Sequence, residues 1–278
     1  MGAWSATNKM LFSSIARPSE LMRIINRSPD LHAFPRVIAV KKVFKKGTPA
    51  IEAGAADGWF SFELAPFFDT PILAMAYTDA EYEAMKKNIR MLRLTGLVSA
   101  GKDDAQTLET VKGGSVEQLM LVDVLEHVDD DISAIKAANR VLKTGGRLIL
   151  SVPTPYYPYW FGYDFDRIIG HKRHFTKEDL ERKLSPNGFE ITEYFYYTSA
   201  AASKLMKLWY RDLKVWPKEF SSMAGGKGKQ RVAVALSTVM LPVLGALAAY
   251  LESYDKKIDG HSSLLVVATK VRDVEVRT

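Results

Sequence analysis

The sequence predicts an α/β fold: a seven-stranded, mainly parallel sheet with helices on both faces, an N-terminal helical extension, and a helical insertion before the last strand. Three observations carry this reading. From Pro49 onward, short β-rich apolar runs alternate with helical patterns, which is the rhythm of βαβ units. The 278 residues are 47% hydrophobic and 25% charged, enough apolar material to bury a sizeable core. Small-residue turns, among them Gly54 to Gly58 and Gly145-Gly146, stand where one element gives way to the next.

Residues 1–48 read as the helical extension, with Ser19 as a cap before Leu21, Met22, Ile24 and Ile25. Strands are expected at Ala50–Ala53, Ile72–Ala76, Leu97–Ala100, Glu117–Asp123, Arg147–Pro153, Phe189–Tyr197 and Leu264–Lys270. Helices are expected between them at Trp59–Phe67, Ala80–Leu94, Asp130–Leu142 and Lys177–Leu184. Thr176 with Asp179 opens the last of these as a capping pair, and Gly145-Gly146 is expected to end the third and turn the chain into the fifth strand. The core is thus 49–197 plus 261–278. The stretch 198–260 is too long for a structureless loop and reads as a helical, apolar and basic insertion.

With no cysteine, the chain has no disulfide framework, no thiolate metal site and no Cys nucleophile such as covalent pyrimidine-C5 methylation requires. The net charge of +6 is unevenly spread. Residues 1–50 carry nine Lys/Arg against two acids, and residues 204–231 carry eight against two, which leaves the body mildly acidic. Two basic attachments point to an anionic partner such as lipid headgroups or nucleic acid, or else are two solvated helix faces. Met1 to Pro35 mixes Lys9, Arg17, Glu20 and Arg23 among short apolar runs, unlike a secretory leader, and Ala6 stands where a myristoylation signal wants Ser or Thr. Cytoplasmic residence with peripheral membrane contact is the expectation.

Val232 to Leu251 is uncharged throughout and long enough to cross a hydrocarbon layer of roughly 30 Å. Crossing would strand Leu264–Lys270 on the far side from the sheet it completes, and Pro242 interrupts the segment. An interfacial helix or a buried one is expected instead.

The most informative stretch is Ile51-Glu52-Ala53-Gly54-Ala55-Ala56-Asp57-Gly58-Trp59, where the first strand meets the first helix. Small residues there admit a ligand close to the backbone, a helix start offers free N–H groups to an anion, and a strand-end carboxylate can accept from an amine or hydroxyl. Trp59 occupies the third glycine position of G-x-G-x-x-G, so pyrophosphate binding is disfavoured. Further along come Asp104-Ala105 after the third strand, Asp123-Val124-Leu125-Glu126-His127-Val128 closing the fourth, and Leu142 to Pro153 leading through the fifth.

In these ordered motifs, and in Gly170-His171-Lys172-Arg173-His174-Phe175-Thr176 and Asn187-Gly188-Phe189-Glu190, the chain resembles the class I S-adenosylmethionine-dependent methyltransferases. It is most similar there to the broad group containing ubiquinone-pathway O-methyltransferases and many small-molecule enzymes. The resemblance runs from about Ile51 to Phe189 and implies a Rossmann-like fold with S-adenosyl-L-methionine as cofactor. It implies that Glu52, Gly54, Ala55, Ala56, Asp57 and Gly58 hold the methionine part, that Asp104 and Ala105 meet the adenine, and that Asp123 lines the methyl-donor side. Two positions depart from the family pattern. Ala76 stands where an acid usually binds the ribose hydroxyls, leaving Tyr77, Thr78 or Asp79 to substitute, and Ala56 replaces a middle glycine, restricting positive φ.

Methyl transfer from a sulfonium is an in-line displacement, so alignment matters most and a base is needed only where the nucleophile must lose a proton. His127, His171 and His174 are the candidates, each with a structural alternative as capping or loop-anchoring residues. Glu126-His127 with Asp129, Asp130 and Asp131 is rich in metal ligands, but the last two read as a helix start and no metal is assigned. Tyr156, Tyr157, Tyr159, Trp160, Phe161 and Tyr163 form an aromatic lid candidate suited to an apolar or planar acceptor, or else pack on the surface. The expected function is methyl transfer to a small or lipid-like acceptor, on oxygen, at a membrane surface. Two other readings stay open: an RNA methyltransferase, prompted by the pI near 9.2, and a non-catalytic binding protein that keeps the fold, prompted by Ala56 and Ala76. Against the RNA reading, Asp123-Val124-Leu125-Glu126 lacks the Asn/Asp-Pro-Pro-aromatic pattern of amine methylation.

Overall fold

In a computed structural model, residues 31–208, 211, 243–245, 247–248 and 250–274 are described. Seven strands, β1 (Ala50–Ala53), β2 (Ile72–Ala76), β3 (Val98–Lys102), β4 (Val116–Val122), β5 (Leu142–Pro153), β6 (Phe189–Tyr197) and β7 (Ser263–Lys270), form one sheet in the order β3-β2-β1-β4-β5-β7-β6. All neighbours run parallel except β7, which pairs antiparallel with β5 and β6. The chain winds outward from β1 through β2 and β3, then restarts at β4 on the other side of β1. That reversal opens a crevice at the carboxyl ends of β1 and β4, where ligands of such sheets bind.

The sheet is buried on both faces, and strand alternation divides the core accordingly. Met120, Val122, Ile149, Leu265 and Val267 face one layer, while Leu119, Leu121, Leu148, Leu150, Leu264 and Val266 face the other. The first layer contains α1 (Ala33–Val43), α2 (Trp59–Phe68) and α3 (Asp79–Met91). The second contains α4 (Asp131–Val141), and later α7 (Lys177–Leu184). Two short helices, α5 (Tyr157–Phe161) and α6 (Tyr163–Ile168), follow β5, and α8 (Ala200–Lys207) follows β6.

Local chemistry explains the helix starts. Thr78 and Glu81 close a capping box on α3, Thr176 and Asp179 close another on α7, and the Asp130 carboxylate accepts from the backbone of Ile132 and Ser133. Asp130 is therefore a cap just outside the helix. The third expected helix also ends earlier than its apolar pattern suggests. Leu142 already pairs with Val116, so Gly145 (φ +80°) and Gly146 lie inside β5, where its register against β4 shifts, and do not end the helix. The fully buried Lys270 ammonium donates to the carbonyls of Asn139, in the last helical turn, and of Leu142, in β5, so acceptors left without an intrahelical partner are satisfied from the last strand.

Within the expected extension, α1 packs Val37, Val40 and Val43 into the first core layer, whereas Ser19 and its neighbours lie outside the described residues. Most of Val232 to Leu251 lies outside them too. Among the described residues no helix is long and apolar enough to cross a membrane. The aromatic lid candidate divides in two. Tyr157, Trp160 and Phe161 pack with Leu31, Met206 and Ala248, while Tyr159 and Tyr163 are exposed.

Candidate active site

The turn after β1 forms one wall of the crevice. Gly54 (φ +74°), Ala56 (φ +48°) and Gly58 (φ +90°) all take the left-handed conformation, so the expected restriction at Ala56 is met as backbone strain rather than by a different turn. A Cβ on Gly54 would lie 2.7 Å from Cγ2 of Val124, which shows how closely this turn abuts the residue after Asp123. Gly58 precedes Trp59 at the start of α2, and the backbone N–H of Trp59 donates to Asp57. Glu52 points from β1 under α2, where Ser61 Oγ donates to it at 2.5 Å. Burial drives the Glu52 carboxyl up to about 7, against the lowering effect of the Ser61 hydrogen bond.

The end of β4 lies directly beside this turn. Asp123 takes φ +52°, and its carboxylate is held from two sides: Ser151 Oγ donates from β5, and the Arg36 guanidinium of α1 forms an ion pair. Ser151 Oγ in turn lies 2.6 Å from Tyr197 Oη on β6. Glu126 follows, wholly buried, with neither carboxylate oxygen in a hydrogen bond. Burial raises its pKa far above the carboxylate range, and the nearby Asp123 charge raises it further.

His127, His171 and His174 come together. The His127 and His171 rings lie 5.0 Å apart, and those of His171 and His174 lie 5.8 Å apart. His127 Nδ1 is 3.2 Å from the Gly170 carbonyl. His171 Nδ1 and His174 Nε2 share one oxygen of Asp166, at 2.7 and 3.0 Å. Burial alone would raise the Asp166 pKa, but the two histidines outweigh it and hold the carboxyl below its usual value. Although His127 keeps solvent access, desolvation by its packed surroundings lowers its pKa, and the neighbouring His171 lowers it further. Arg173 anchors the histidine loop through the carbonyls of Leu125 and Asp129 and lies 3.8 Å from Asp131.

The β2–β3 edge is less converged. Ala76 is fully buried, and its carbonyl accepts from Asp103 N. Tyr77 is 62% exposed, so it does not plug the crevice. Of the proposed substitutes for a ribose-binding acid, Thr78 is taken up by its capping box and Asp79 pairs with Lys102. Asp104 accepts from the backbone and side-chain amides of Gln106, and Ala105 is buried beside it. The donor set fits the methionine end of the expected cofactor, through a buried carboxylate and a glycine cradle that a Cβ would fill. At the ribose end it departs from the family pattern.

Arg36, Ser151, Asp166 and Tyr197 escaped the sequence reading as site residues. Arg36 lay in a segment read as an extension, and Ser151 and Tyr197 sat in runs read only as strand. Asp166 had the one available signal, an acid shortly before a paired His171 and His174.

Geometry and motifs meet in one class. A family model described as a methyltransferase domain matches residues 10–194. The chain belongs to that family, whose methyl donor is S-adenosylmethionine. No curated protein matches the sequence. Among solved structures, a SAM-dependent methyltransferase from Thermotoga maritima is 19% identical, with 95% of this chain and 99% of that one covered at a TM-score of 0.55. A geranyl diphosphate C-methyltransferase from Streptomyces coelicolor, crystallised with S-adenosyl-L-homocysteine, is 13% identical over 98% and 83%, at 0.54. A [4+2]-cyclase is 15% identical over 97% and 99%, at 0.60. At these identities the likeness is one of fold, and the cyclase shows that the scaffold serves more than one chemistry.

Proposed function

We propose that this methyltransferase moves a methyl group from S-adenosylmethionine to a hydroxyl oxygen of a small or lipid-like acceptor, with His127 as the base. The observation that carries the reading is the juxtaposition at the exits of the adjacent strands β1 and β4: a glycine turn pressed against Val124, and a histidine cluster that begins at His127, three residues further on. Glu52 and residues Gly54, Ala55, Ala56, Asp57 and Gly58 would hold the methionine end, Ala76 and Tyr77 the ribose, and Asp104 with Ala105 the adenine. Asp123, steadied by Arg36 and Ser151, would border the reacting carbon. When bound, the cofactor supplies an electrophilic methyl group on a sulfonium.

His127 donates from Nδ1 to the Gly170 carbonyl, which leaves Nε2 bare to take the acceptor's proton. Its lowered pKa keeps the ring neutral near pH 7, as a base must be. Asp166 fixes His171 and His174 beside it, bounding the acceptor. The 198–260 insertion would select that acceptor. Val243, Leu247 and Tyr250 are 63%, 42% and 53% exposed, which, together with the basic composition of 204–231, supports contact with an anionic lipid surface.

The test is S-adenosylhomocysteine release with a panel of phenolic and lipid-like hydroxyl acceptors, with and without anionic vesicles. His127→Gln is expected to lower kcat by about 10²–10⁴ with S-adenosylhomocysteine affinity unchanged. Absence of any thermal shift at millimolar S-adenosylhomocysteine would refute the enzymatic reading. A chain that stays in the supernatant with anionic vesicles at low salt would remove the lipid surface from it.

A further inference from the structure

We propose that Glu126, His127 and His171 form a binding site for one divalent transition-metal ion, with Asp166 and the Gly170 carbonyl orienting the two imidazoles. One potential ligand atom from each of the three residues lies within 4.8 Å of the others, a spacing that a single ion can close by small side-chain movements. They come from two separate parts of the chain, the exit of β4 and the loop between α6 and α7, so the juxtaposition is made by the fold.

Glu126 is the independent sign of a ligand. Its side chain is wholly buried and neither carboxylate oxygen finds a hydrogen-bond donor, in a structure where the neighbouring carboxylates Asp123, Asp130 and Asp166 are all partnered. A buried carboxyl group with two empty oxygens is costly, and a bound cation is one way to satisfy it. The Arg36 guanidinium, whose charge is felt at Glu126, makes its ion pair with Asp123.

The imidazoles are arranged as metal-ligating histidines are. His171 Nδ1 meets the Asp166 carboxylate at 2.7 Å, and His127 Nδ1 meets a backbone carbonyl at 3.2 Å. Each ring is thereby fixed at one nitrogen, leaving Nε2 to coordinate, which is the carboxylate–histidine–metal arrangement. Two imidazoles and one carboxylate, with no thiolate, suit Zn²⁺, Mn²⁺, Fe²⁺ or Co²⁺ better than Mg²⁺ or Ca²⁺. Three protein ligands also leave coordination positions open, and a hydroxyl oxygen seated there would lose its proton to solvent more readily. In that state the imidazoles hold the metal, and His127 is no longer the base. Metal binding does not require methyl transfer, and in the metal-free chain His127 remains the base, so either reading can fail alone.

The test uses the untagged full chain, dialysed against EDTA, with Zn²⁺, Mn²⁺ and Co²⁺ added in titration calorimetry and bound metal counted by mass spectrometry. One ion per chain is expected. Glu126→Gln and His171→Ala should each weaken binding at least about tenfold. Asp166→Asn, which keeps all three ligands, should weaken it about 10- to 100-fold. His174→Ala should leave it near the wild-type value, because His174 meets the shared Asp166 oxygen without belonging to the ligand set. The Co²⁺ spectrum of the unmutated chain needs no variant to fold, and intense visible bands of low-coordinate cobalt are expected. No saturable uptake, unchanged affinity in both Glu126→Gln and His171→Ala, loss confined to His174→Ala, or a Co²⁺ spectrum like that of the aqueous ion would each overturn the proposal.

Discussion

With Glu52 holding the ligand's ammonium, as proposed, cofactor binding becomes a titration. Burial raises the Glu52 pKa from an ordinary 4.5 to about 7, because hydrogen bonds from the Ser61 hydroxyl and backbone replace only part of the hydration that the charged form loses. An ammonium group on the ligand would favour the ionised form. At pH 6 about a tenth of the free protein carries Glu52 ionised, and at pH 8 about nine tenths does, so S-adenosylhomocysteine should bind about tenfold tighter at pH 8. The stability of the ligand-free chain should move the opposite way. A carboxyl whose folded pKa lies above its unfolded value contributes fully below about pH 4.5, and that contribution is lost as pH rises through 7, by about 3 kcal/mol in all. Glu52→Gln should abolish the pH slope of binding and be more stable than wild type at pH 8 but not at pH 5. Calorimetry at pH 6, 7 and 8 at fixed ionic strength, with urea melts at pH 5 and 8, reads both effects. An equal pH slope in wild type and Glu52→Gln, or tighter wild-type binding at pH 6, would refute the assignment of Glu52 to the ligand's ammonium.

Three further outcomes follow from backbone and ion-pair geometry. Ala56→Gly should stabilise the chain by about 0.5–1 kcal/mol in urea denaturation, since glycine releases the strain of φ +48° at a modest cost in unfolded-state entropy. Gly58→Ala should destabilise it by about 2–4 kcal/mol, because the new Cβ would sit 2.5 Å from Phe62 Cζ and 2.9 Å from Met85 Cγ at φ +90°. Arg36→Met should cost about 1–2 kcal/mol by leaving one side of Asp123 unpaired, and should slow turnover more than it weakens S-adenosylhomocysteine binding. Equal losses in the two would place Arg36 on the cofactor side of the crevice.

What the sequence made legible and what it left hidden divide along contact range. Short apolar runs and capping residues act locally, so β1 (Ala50–Ala53), β2 (Ile72–Ala76), β6 (Phe189–Tyr197) and α7 (Lys177–Leu184) were readable with both ends correct. The start of β5 was not, because Leu142 is drawn into the sheet by its pairing with Val116, a contact that no local pattern announces. The site divides in the same way. Glu52, Gly54 and Gly58 are legible because a tight strand-to-helix turn needs small residues in a fixed order. His127, His171 and His174 were legible as candidates, but not the partners that decide what they can do. Asp166 orients two of them, Gly170 turns the third, and Arg36 arrives at Asp123 from a helix that reads as an appendage. Side chains that bear chemistry can be named from residue type, whereas their protonation depends on neighbours brought in by topology. Glu126 is the sharpest case: in sequence it is one more acid beside a histidine, and only its burial without a partner marks it as a group awaiting a charge.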